Sequence, residues 1–204
     1  MTNWFASVDF SKVKVKHNWF GGEDMEGFTM ELAGMDLVHK AQVYAIAAHA
    51  AVGQKRKYTN EPYIVHPAEV ARIVAEVPGS TPDMVAAAWL HDVVEDTSVT
   101  LTDIHLSFGP EVAALVGWLT DVSKKEDGNR ATRKAIDRAH TAAAPAEAQT
   151  IKLADLISNS KSIMQHDPAF AKTYLEEKRL LLEVLTRGDP GLHALASSYV
   201  GTGE

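Results

Sequence analysis

The sequence contains no cysteine among its 204 residues. This absence excludes disulfide scaffolds, thiolate-bound metal sites, iron–sulfur clusters and cysteine nucleophiles. Nine histidines and the carboxylates are then the remaining side chains with strong metal affinity. Any metal ion bound by this chain would therefore be held by nitrogen and oxygen.

Long apolar runs and an excess of positive charge are also missing. No stretch approaches 18 consecutive apolar residues, and the N-terminus lacks the pattern of a signal peptide, so we expect a cytoplasmic protein without membrane contact. The 27 acidic and 20 basic side chains give a net charge of -7, which argues against a nucleic-acid partner. A local basic patch would still suit a small anionic substrate.

The composition is that of a globular protein, with 46% hydrophobic and 23% charged residues. A chain of this length is long enough to bury a sizeable core within one domain. Residues 1–33 show no sustained periodicity, and we interpret them as an N-terminal arm. Residues 34–204 are interpreted as the functional domain.

The periodicity after Met35 predicts an all-α domain, a bundle of roughly eight to ten helices. No segment shows strand alternation with hairpin turns, and the many alanines favour close helix packing. Pro67 is expected at the first position of its helix. The predicted helices run from Met35 towards Gly53, from His66 to Val77, from Pro82 to His91, from Thr100 to Phe108, and over 110–122, 130–142, 146–165, 168–187 and 190–199.

The dipeptide His-Asp occurs twice, in different contexts. Asp167 precedes Pro168, which favours a role as the N-cap of the following helix. His91-Asp92 instead ends an apolar helix and is followed by Glu95 and Asp96. On a continuous helix one face would carry an imidazole and two carboxylates, a costly set to bury unless it is paired or bound to a cation. A structural salt-bridge cluster is the alternative.

Two further polar side chains lie in apolar surroundings. His66 stands at a helix start, where the helix dipole keeps the imidazole neutral and able to bind a metal, although a capping or packed histidine is the alternative. Asp155 lies in an apolar helix with Lys152 and Asn159 one turn away on the same face. An internal Lys–Asp pair is the alternative there.

Taken in order, these motifs resemble the HD hydrolase domain of RelA/SpoT homologues, in particular the small single-domain alarmone hydrolases. The resemblance covers about residues 35 to 188. It depends on the following segments: Ala48-His49, Gln54-Lys55-Arg56-Lys57, Glu61-Pro62-Tyr63-Ile64-Val65-His66-Pro67, Ala88-Trp89-Leu90-His91-Asp92-Val93-Val94-Glu95-Asp96-Thr97, Phe108-Gly109, Ile151-Lys152-Leu153-Ala154-Asp155 and Asn159.

The resemblance implies a manganese-dependent enzyme that hydrolyses the 3′-pyrophosphate of ppGpp or pppGpp, giving GDP or GTP and pyrophosphate. A set of two imidazoles and two carboxylates also suits Mn²⁺ or a similar divalent cation on chemical grounds. Such an ion would polarise the phosphoryl group and lower the pKa of its water. The implied metal ligands are His66, His91, Asp92 and Asp155.

The resemblance also implies roles for residues around the metal. Glu95 and Asp96 would act on the attacking water, Arg56 and Lys57 would contact the nucleotide, and Asn159 would position its sugar or phosphate. The charge pattern adds candidate phosphate contacts on one helix, for which a solvated basic face is the alternative. These candidates are Arg130, Arg133 and Lys134.

The sequence departs from the family pattern at several positions. The segment Tyr58-Thr59-Asn60-Glu61 lacks the usual glycine, whose positive φ Asn60 could supply. Leu156 and Ser160-Lys161 replace an arginine and a Met-Arg pair, so these departures fall on expected phosphate contacts and not on the implied metal ligands. The chain ends where long relatives would begin a synthetase domain, so we expect no alarmone synthesis.

Three alternatives stay open at this point. The same metal chemistry could remove a different phosphate, such as the 2′-phosphate of NADPH. The chain could instead be a non-catalytic nucleotide-binding protein, although Glu95 and Asp96 argue for catalysis. A hydrolase could also counteract a separate alarmone synthetase as an antitoxin. The sequence does not decide the oligomeric state.

Overall fold

The computed structural model describes residues 35–201, and the predicted N-terminal arm lies outside the described residues. Helices dominate, with a 3-10 helix at Lys125–Asp127 and an isolated antiparallel bridge between Lys55 and Pro62. The all-α prediction is confirmed. In chain order the helices are α1 Leu37–Ala51, α2 Val65–Ala75, α3 Pro82–Leu90, α4 Val93–Asp96, α5 Leu101–Phe108, α6 Pro110–Leu119, α7 Arg130–Ala143, α8 Ala146–His166, α9 Pro168–Leu182 and α10 Pro190–Val200.

Helix α3 lies at the centre of the bundle and contacts α1, α2, α6 and α8. Ala86, Ala87 and Ala88 are completely buried, and their small side chains let neighbouring helices approach closely. Trp89 and Leu90 fill the space towards the end of the helix. The residue that follows, His91, is therefore held in the interior by the buried C-terminal half of this helix, residues 86–90.

Helix α8 is the second central element, and it contacts α2, α3, α6, α9 and α10. Its apolar side chains Ile151, Leu153 and Leu156 are buried in the core. Asp155 and Ser158 are polar exceptions on this helix, and both are also buried. Buried polar groups require partners, and these two find them in the site described below.

Several local predictions are confirmed because they depend on residues within one turn. Thr100 and Asp103 form a reciprocal capping box at the start of α5. The Asp167 side chain accepts a hydrogen bond from the backbone N–H of Phe170 and caps α9. Asn60 has a φ of 57°, the left-handed conformation expected in place of glycine.

The start of α2 and the end of α3 differ from the predictions. Helix α2 begins at Val65, so Pro67 lies at its third position rather than its first. The N–H groups of the first turn have no acceptor within the helix, so the N–H that proline lacks costs no hydrogen bond there. Helix α3 ends at Leu90, and the turn at His91-Asp92 separates it from α4. The His91 and Glu95 side chains therefore do not share one face of a continuous helix.

Two other helices are shorter than predicted. Helix α6 ends at Leu119, where the following backbone N–H groups of Val122 and Ser123 bond to Asp137 on α7. Helix α9 ends at Leu182 rather than at residue 187. The Arg187 backbone N–H bonds to Gln149 of α8, and its guanidinium bonds to the end of α7. These tertiary hydrogen bonds compete successfully with continuation of the helices.

Candidate active site

Three parts of the bundle bring His66, His91, Asp92 and Asp155 together. His66 lies in the first turn of α2, His91 and Asp92 form the turn after α3, and Asp155 lies in the middle of α8. Because α2, α3 and α8 contact one another, these side chains meet in the interior. His66 and His91 are each only 1% exposed, so water does not replace the partners they face.

The ring nitrogens and carboxylate oxygens of these residues converge on one point. The Nε2 atoms of His66 and His91 are 3.2 Å apart. Asp92 Oδ2 lies 3.0 Å from His91 Nε2 and 3.6 Å from His66 Nε2. Asp155 Oδ1 lies 3.2 Å from His66 Nε2 and 3.9 Å from His91 Nε2. One ligand atom from each of His66, His91 and Asp92 lies within 4.8 Å of the others.

The other nitrogen of each imidazole is already engaged. His91 Nδ1 lies 2.8 Å from the carbonyl oxygen of Ala88, which can only accept, so this nitrogen carries a proton. His66 Nδ1 lies 3.0 Å from Ser158 Oγ. In the neutral rings the Nε2 lone pairs then point at each other and at two carboxylates. Such a set of electron-pair donors fits a divalent cation, because nitrogen and oxygen ligands without thiolate suit ions such as Mn²⁺.

The electrostatics of the site keep both carboxylates ionised. Burial alone would raise the pKa of Asp155, but the Lys152 ammonium and the two imidazoles outweigh it and hold that pKa well below its usual range. Burial is likewise outweighed at Asp92, whose pKa is lowered mainly by His91. Burial opposes protonation of His91, yet Asp92 and Asp155 raise its pKa to about 9. The site therefore has a strong demand for positive charge.

Hydrogen bonds from neighbouring side chains fix both carboxylates in place. The Tyr63 hydroxyl donates to Asp92 Oδ2 at 2.5 Å. Asn159 Nδ2 donates to Asp155 Oδ1 at 2.6 Å, and the Arg56 guanidinium donates to Asn159 Oδ1 at 3.2 and 3.3 Å. The structure thus places Arg56 and Asn159 directly beside the cluster of histidines and aspartates.

A cavity of about 260 Å³ opens beside this cluster, and Glu95 and Asp96 line it. Glu95 Oε1 accepts a hydrogen bond from the Asp121 backbone N–H at 2.5 Å. Burial at the cavity wall raises the pKa of Glu95 to about 7. Asp96 Oδ2 accepts from Gln54 Nε2 at 2.8 Å, and Gln54 in turn bonds to His49 Nδ1 at 2.6 Å. Both carboxylates are therefore held at the cavity by defined partners.

The cavity is also lined by cationic side chains from α7, α8 and α9, namely Lys134, Arg138, Lys152 and Lys178. Lys134 pairs with Asp121 at 2.9 Å, and Lys152 pairs with Asp155 Oδ2 at 3.3 Å. Burial lowers the pKa of Lys178 to about 8, which leaves this amine mainly protonated at neutral pH. The lining of the cavity thus combines carboxylates with ammonium and guanidinium groups, several of them in direct ion pairs.

Four of the five cations considered from sequence do not line this cavity, namely Arg56, Lys57, Arg130 and Arg133. Arg56 instead bonds to Asn159, which does line it. Arg133 is not among the residues that line it, and Arg130 forms a two-pronged ion pair with Glu177, at 2.6 and 2.8 Å. Lys57 is exposed on 72% of its side chain and pairs with Asp167 at 3.5 Å. These positions follow from the orientation of α7 and from the loop before α2, which sequence periodicity alone does not determine.

Sequence analysis missed several residues that contribute to the site. Ser158 had no signal, because a single serine in a helix is common. Gln54 appeared only within the segment Gln54-Lys55-Arg56-Lys57 of the resemblance, with no role of its own. The Tyr63 hydroxyl had a weak signal in its closeness to Pro62 and His66 within one motif. Lys178 lies in a helix with several other charged residues, so its direction towards the cavity emerges only from the packing of α9 on α8.

Comparison with known proteins agrees with this arrangement. The family model described as "HD domain" matches residues 41–181, which include the whole cluster. A Synechocystis protein named probable guanosine-3′,5′-bis(diphosphate) 3′-pyrophosphohydrolase is 35% identical over 130 residues, 62% of this chain and 17% of that protein. A Streptomyces coelicolor protein named GTP pyrophosphokinase is 37% identical over 123 residues, 60% of this chain and 14% of that protein. The chain thus spans less than a fifth of the length of these two curated relatives.

A solved structure extends the similarity to the fold. It is described as a metazoan ortholog of SpoT that hydrolyzes ppGpp and plays a role in starvation responses. It is 26% identical to this chain, with a TM-score of 0.71, and the match covers 81% of this chain and 94% of the other. Because the family model alone spans more than half of the sequence, the chain belongs to the HD domain family.

Proposed function

We propose that this chain is a manganese-dependent hydrolase that removes the 3′-pyrophosphate of guanosine tetraphosphate or pentaphosphate. The observation that carries the proposal is the convergence of two imidazoles and two carboxylates beside a cavity that also holds Glu95 and Asp96. The relatives named as pyrophosphohydrolases support the choice of substrate. The metazoan structure supports hydrolysis in particular, since this chain matches 94% of its length.

The proposed metal ligands are His66, His91, Asp92 and Asp155. A divalent ion bound by them would supply Lewis acidity towards phosphoryl oxygens and lower the pKa of nearby water. Mn²⁺ is the proposed ion because the donor set contains hard carboxylate oxygens and no sulfur, although another divalent cation would satisfy the same ligands.

Glu95 and Asp96 are the proposed catalytic carboxylates. A Glu95 pKa of about 7 matches the requirement of a group that accepts a proton from water near neutral pH. The bond from the Asp121 backbone fixes one oxygen of Glu95 and leaves the other for the substrate side. Asp96, held by Gln54, would orient the same water molecule.

Positive charge in and beside the cavity would offset the anionic substrate. Arg56 and Asn159 lie next to Asp155, where they can contact the sugar or the phosphate nearest the cluster. Lys134, Lys152 and Lys178 also line the cavity. Arg56 does not line it and would act from beside Asn159, to which it donates. The proposed roles of Lys57 and Arg133 would need side-chain movement, because neither lines this cavity. A local cationic wall thereby lets a protein of net charge -7 accept a polyphosphate.

The test is to incubate purified protein with ppGpp and Mn²⁺ and to measure pyrophosphate release. We expect release by the wild type and none by Asp92→Ala, which lacks one proposed ligand. Equal inactivity of the two proteins would contradict the proposal.

Parallel assays with NADPH address the alternative substrate. Preferential release of its 2′-phosphate would show that NADPH rather than ppGpp is the substrate, and the proposed metal chemistry would still hold. Tight nucleotide binding without turnover would favour the non-catalytic alternative.

A counterpart synthetase is part of the same proposal. A hydrolase of this substrate would limit its accumulation and so counteract an enzyme that makes it. In cells whose growth is inhibited by an active alarmone synthetase, coexpression of this chain should therefore restore growth only when Asp92 is intact. Restoration by Asp92→Ala would point to direct binding of the synthetase rather than to hydrolysis.

A further inference from the structure

Ser158 connects the imidazole of His66 to a carboxylate on the far side of that histidine. Its Oγ lies 3.0 Å from His66 Nδ1 and 2.7 Å from Glu69 Oε2. Ser158 is 2% exposed, whereas the Glu69 side chain is 33% exposed. Lys161 lies 3.6 Å from the other Glu69 oxygen. A second cavity of about 310 Å³ is lined by all four residues, His66, Ser158, Glu69 and Lys161.

The hydrogen-bond inventory of these groups determines the direction of the protons. A serine hydroxyl has one proton, and the Glu69 carboxylate can only accept it. Ser158 Oγ must then act as the acceptor towards His66, so the imidazole proton lies on Nδ1. The Nε2 atom of His66 is left with its lone pair directed at Asp155, Asp92 and His91.

The two histidines of the cluster are therefore oriented by different means. His91 donates from Nδ1 to the backbone carbonyl of Ala88, a partner that every side-chain substitution would retain. His66 depends on two side chains, Ser158 and Glu69. This makes the orientation of His66 separately testable by mutation.

We propose that Ser158 and Glu69 are positioning residues that hold His66 in the Nδ1-protonated form, so that Nε2 binds the divalent cation. The inference rests on the metal site of the proposed function. Without Glu69, the Ser158 hydroxyl is free to donate to His66 Nδ1, which would place the imidazole proton on Nε2 and block the ligand position. Partners of this kind typically change metal affinity by about 10- to 100-fold.

The experiment is a titration of the metal-free protein with Mn²⁺, in which the free ion is followed by electron paramagnetic resonance. We expect Ser158→Ala to weaken binding by about 10- to 100-fold and Glu69→Ala by about tenfold. Ser158→Thr keeps a hydroxyl and should restore most of the affinity, which separates the hydrogen bond from a general effect on folding. Nitrogen-15 NMR of the zinc-loaded wild type should show the His66 proton on Nδ1.

Ser160→Ala and Glu76→Ala are the matched controls. Ser160 is as buried as Ser158 and lies on the same helix, and Glu76 caps the end of α2, the helix that holds Glu69. Neither contacts His66, so both variants should bind Mn²⁺ like the wild type. The inference is overturned if Ser158→Ala and Glu69→Ala match these controls, or if Ser158→Thr binds as weakly as Ser158→Ala.

The titration distinguishes this inference from the proposed function. Wild-type protein that binds Mn²⁺ but releases no pyrophosphate from ppGpp would contradict the proposed substrate, while the ranking of the variants would still decide the roles of Ser158 and Glu69. Active wild-type protein with unchanged affinity in both variants would overturn the inference alone. Wild-type protein that binds no divalent cation would overturn both.

Discussion

At the scale of single residues, the cavity separates two kinds of carboxylate. Asp92 and Asp155 face imidazoles and cations, and their pKa values are lowered, so they are permanent anions suited to a metal ion. Glu95 loses solvation on burial, the nearby Lys152 offsets this only in part, and the pKa of Glu95 rises to about 7. Two neighbouring environments therefore shift the pKa values of chemically similar groups in opposite directions, which is the basis for the different roles proposed for them.

Glu95→Gln tests that division of roles. Glutamine retains the size of the side chain and an oxygen for the Asp121 N–H, but it cannot accept a proton from water. We expect kcat for ppGpp hydrolysis to fall by about 100- to 10,000-fold while Mn²⁺ affinity stays at the wild-type value. The measurements are steady-state kinetics and metal titration, with Glu111→Gln on the exposed side of α6 as the control. A parallel loss of metal affinity would contradict the assignment.

At the scale of elements, each helix contributes one chemical component to the site. Helix α2 and the turn after α3 supply imidazoles, α8 supplies Asp155, Asn159 and Lys152, and α9 supplies Lys178. Packing of α9 on α8 directs Lys178 into the cavity, where burial lowers its pKa to about 8. This helix thus adds a cation whose charge depends on pH just above neutrality.

Lys178→Gln should weaken substrate binding rather than the chemical step. Removing a buried ammonium that faces a phosphate should raise KM for ppGpp by about tenfold at pH 7. In the wild type, KM should rise as pH increases through about 8, because the amine loses its charge there. That rise should be absent in the variant. Kinetics from pH 6.5 to 9.5 check both statements, and Lys172→Gln, an exposed position on the same helix, should behave like the wild type.

At the scale of the whole molecule, the cluster of His66, His91, Asp92 and Asp155 lies where α2, α3 and α8 pack together. None of the helices over residues 35–201 is both long and apolar enough to cross a membrane. The cytoplasmic location stays a prediction. What the described fold does establish is that α2, α3 and α8 must remain packed to keep two histidines and two aspartates together. Metal binding and folding should therefore be thermodynamically linked.

Mn²⁺ should stabilise the entire domain against unfolding. A ligand at about 100 times its Kd that binds only the folded state adds about 2.7 kcal/mol to the free energy of unfolding. We expect the wild-type Tm to rise with Mn²⁺ and to fall again on addition of EDTA, as followed by circular dichroism. Asp92→Ala should show no such dependence. An equal Mn²⁺ effect in that variant would place the ion outside the proposed cluster.

Whether a feature of the fold could be predicted from the sequence depends on how far along the chain its interacting residues lie. The Asp167 cap, the Thr100 capping box and the positive φ of Asn60 were predictable, because each depends on neighbours within a few residues. The ends of α6 and α9 were not, because hydrogen bonds to Asp137 and Gln149 come from other helices. Local rules fail where a distant partner competes for the same backbone group.

The candidate site shows the same division. The sequence by itself determined that the chain is helical, that any metal ligands are nitrogen and oxygen, and that a motif around His91 and Asp92 carries unusual buried charge. Only the tertiary structure decided that Lys178 rather than Arg133 faces the cavity and that Ser158 orients His66. The physical reason is that helical periodicity fixes which face of a helix is buried, whereas the partner of each polar side chain depends on how separate helices rotate and pack against one another.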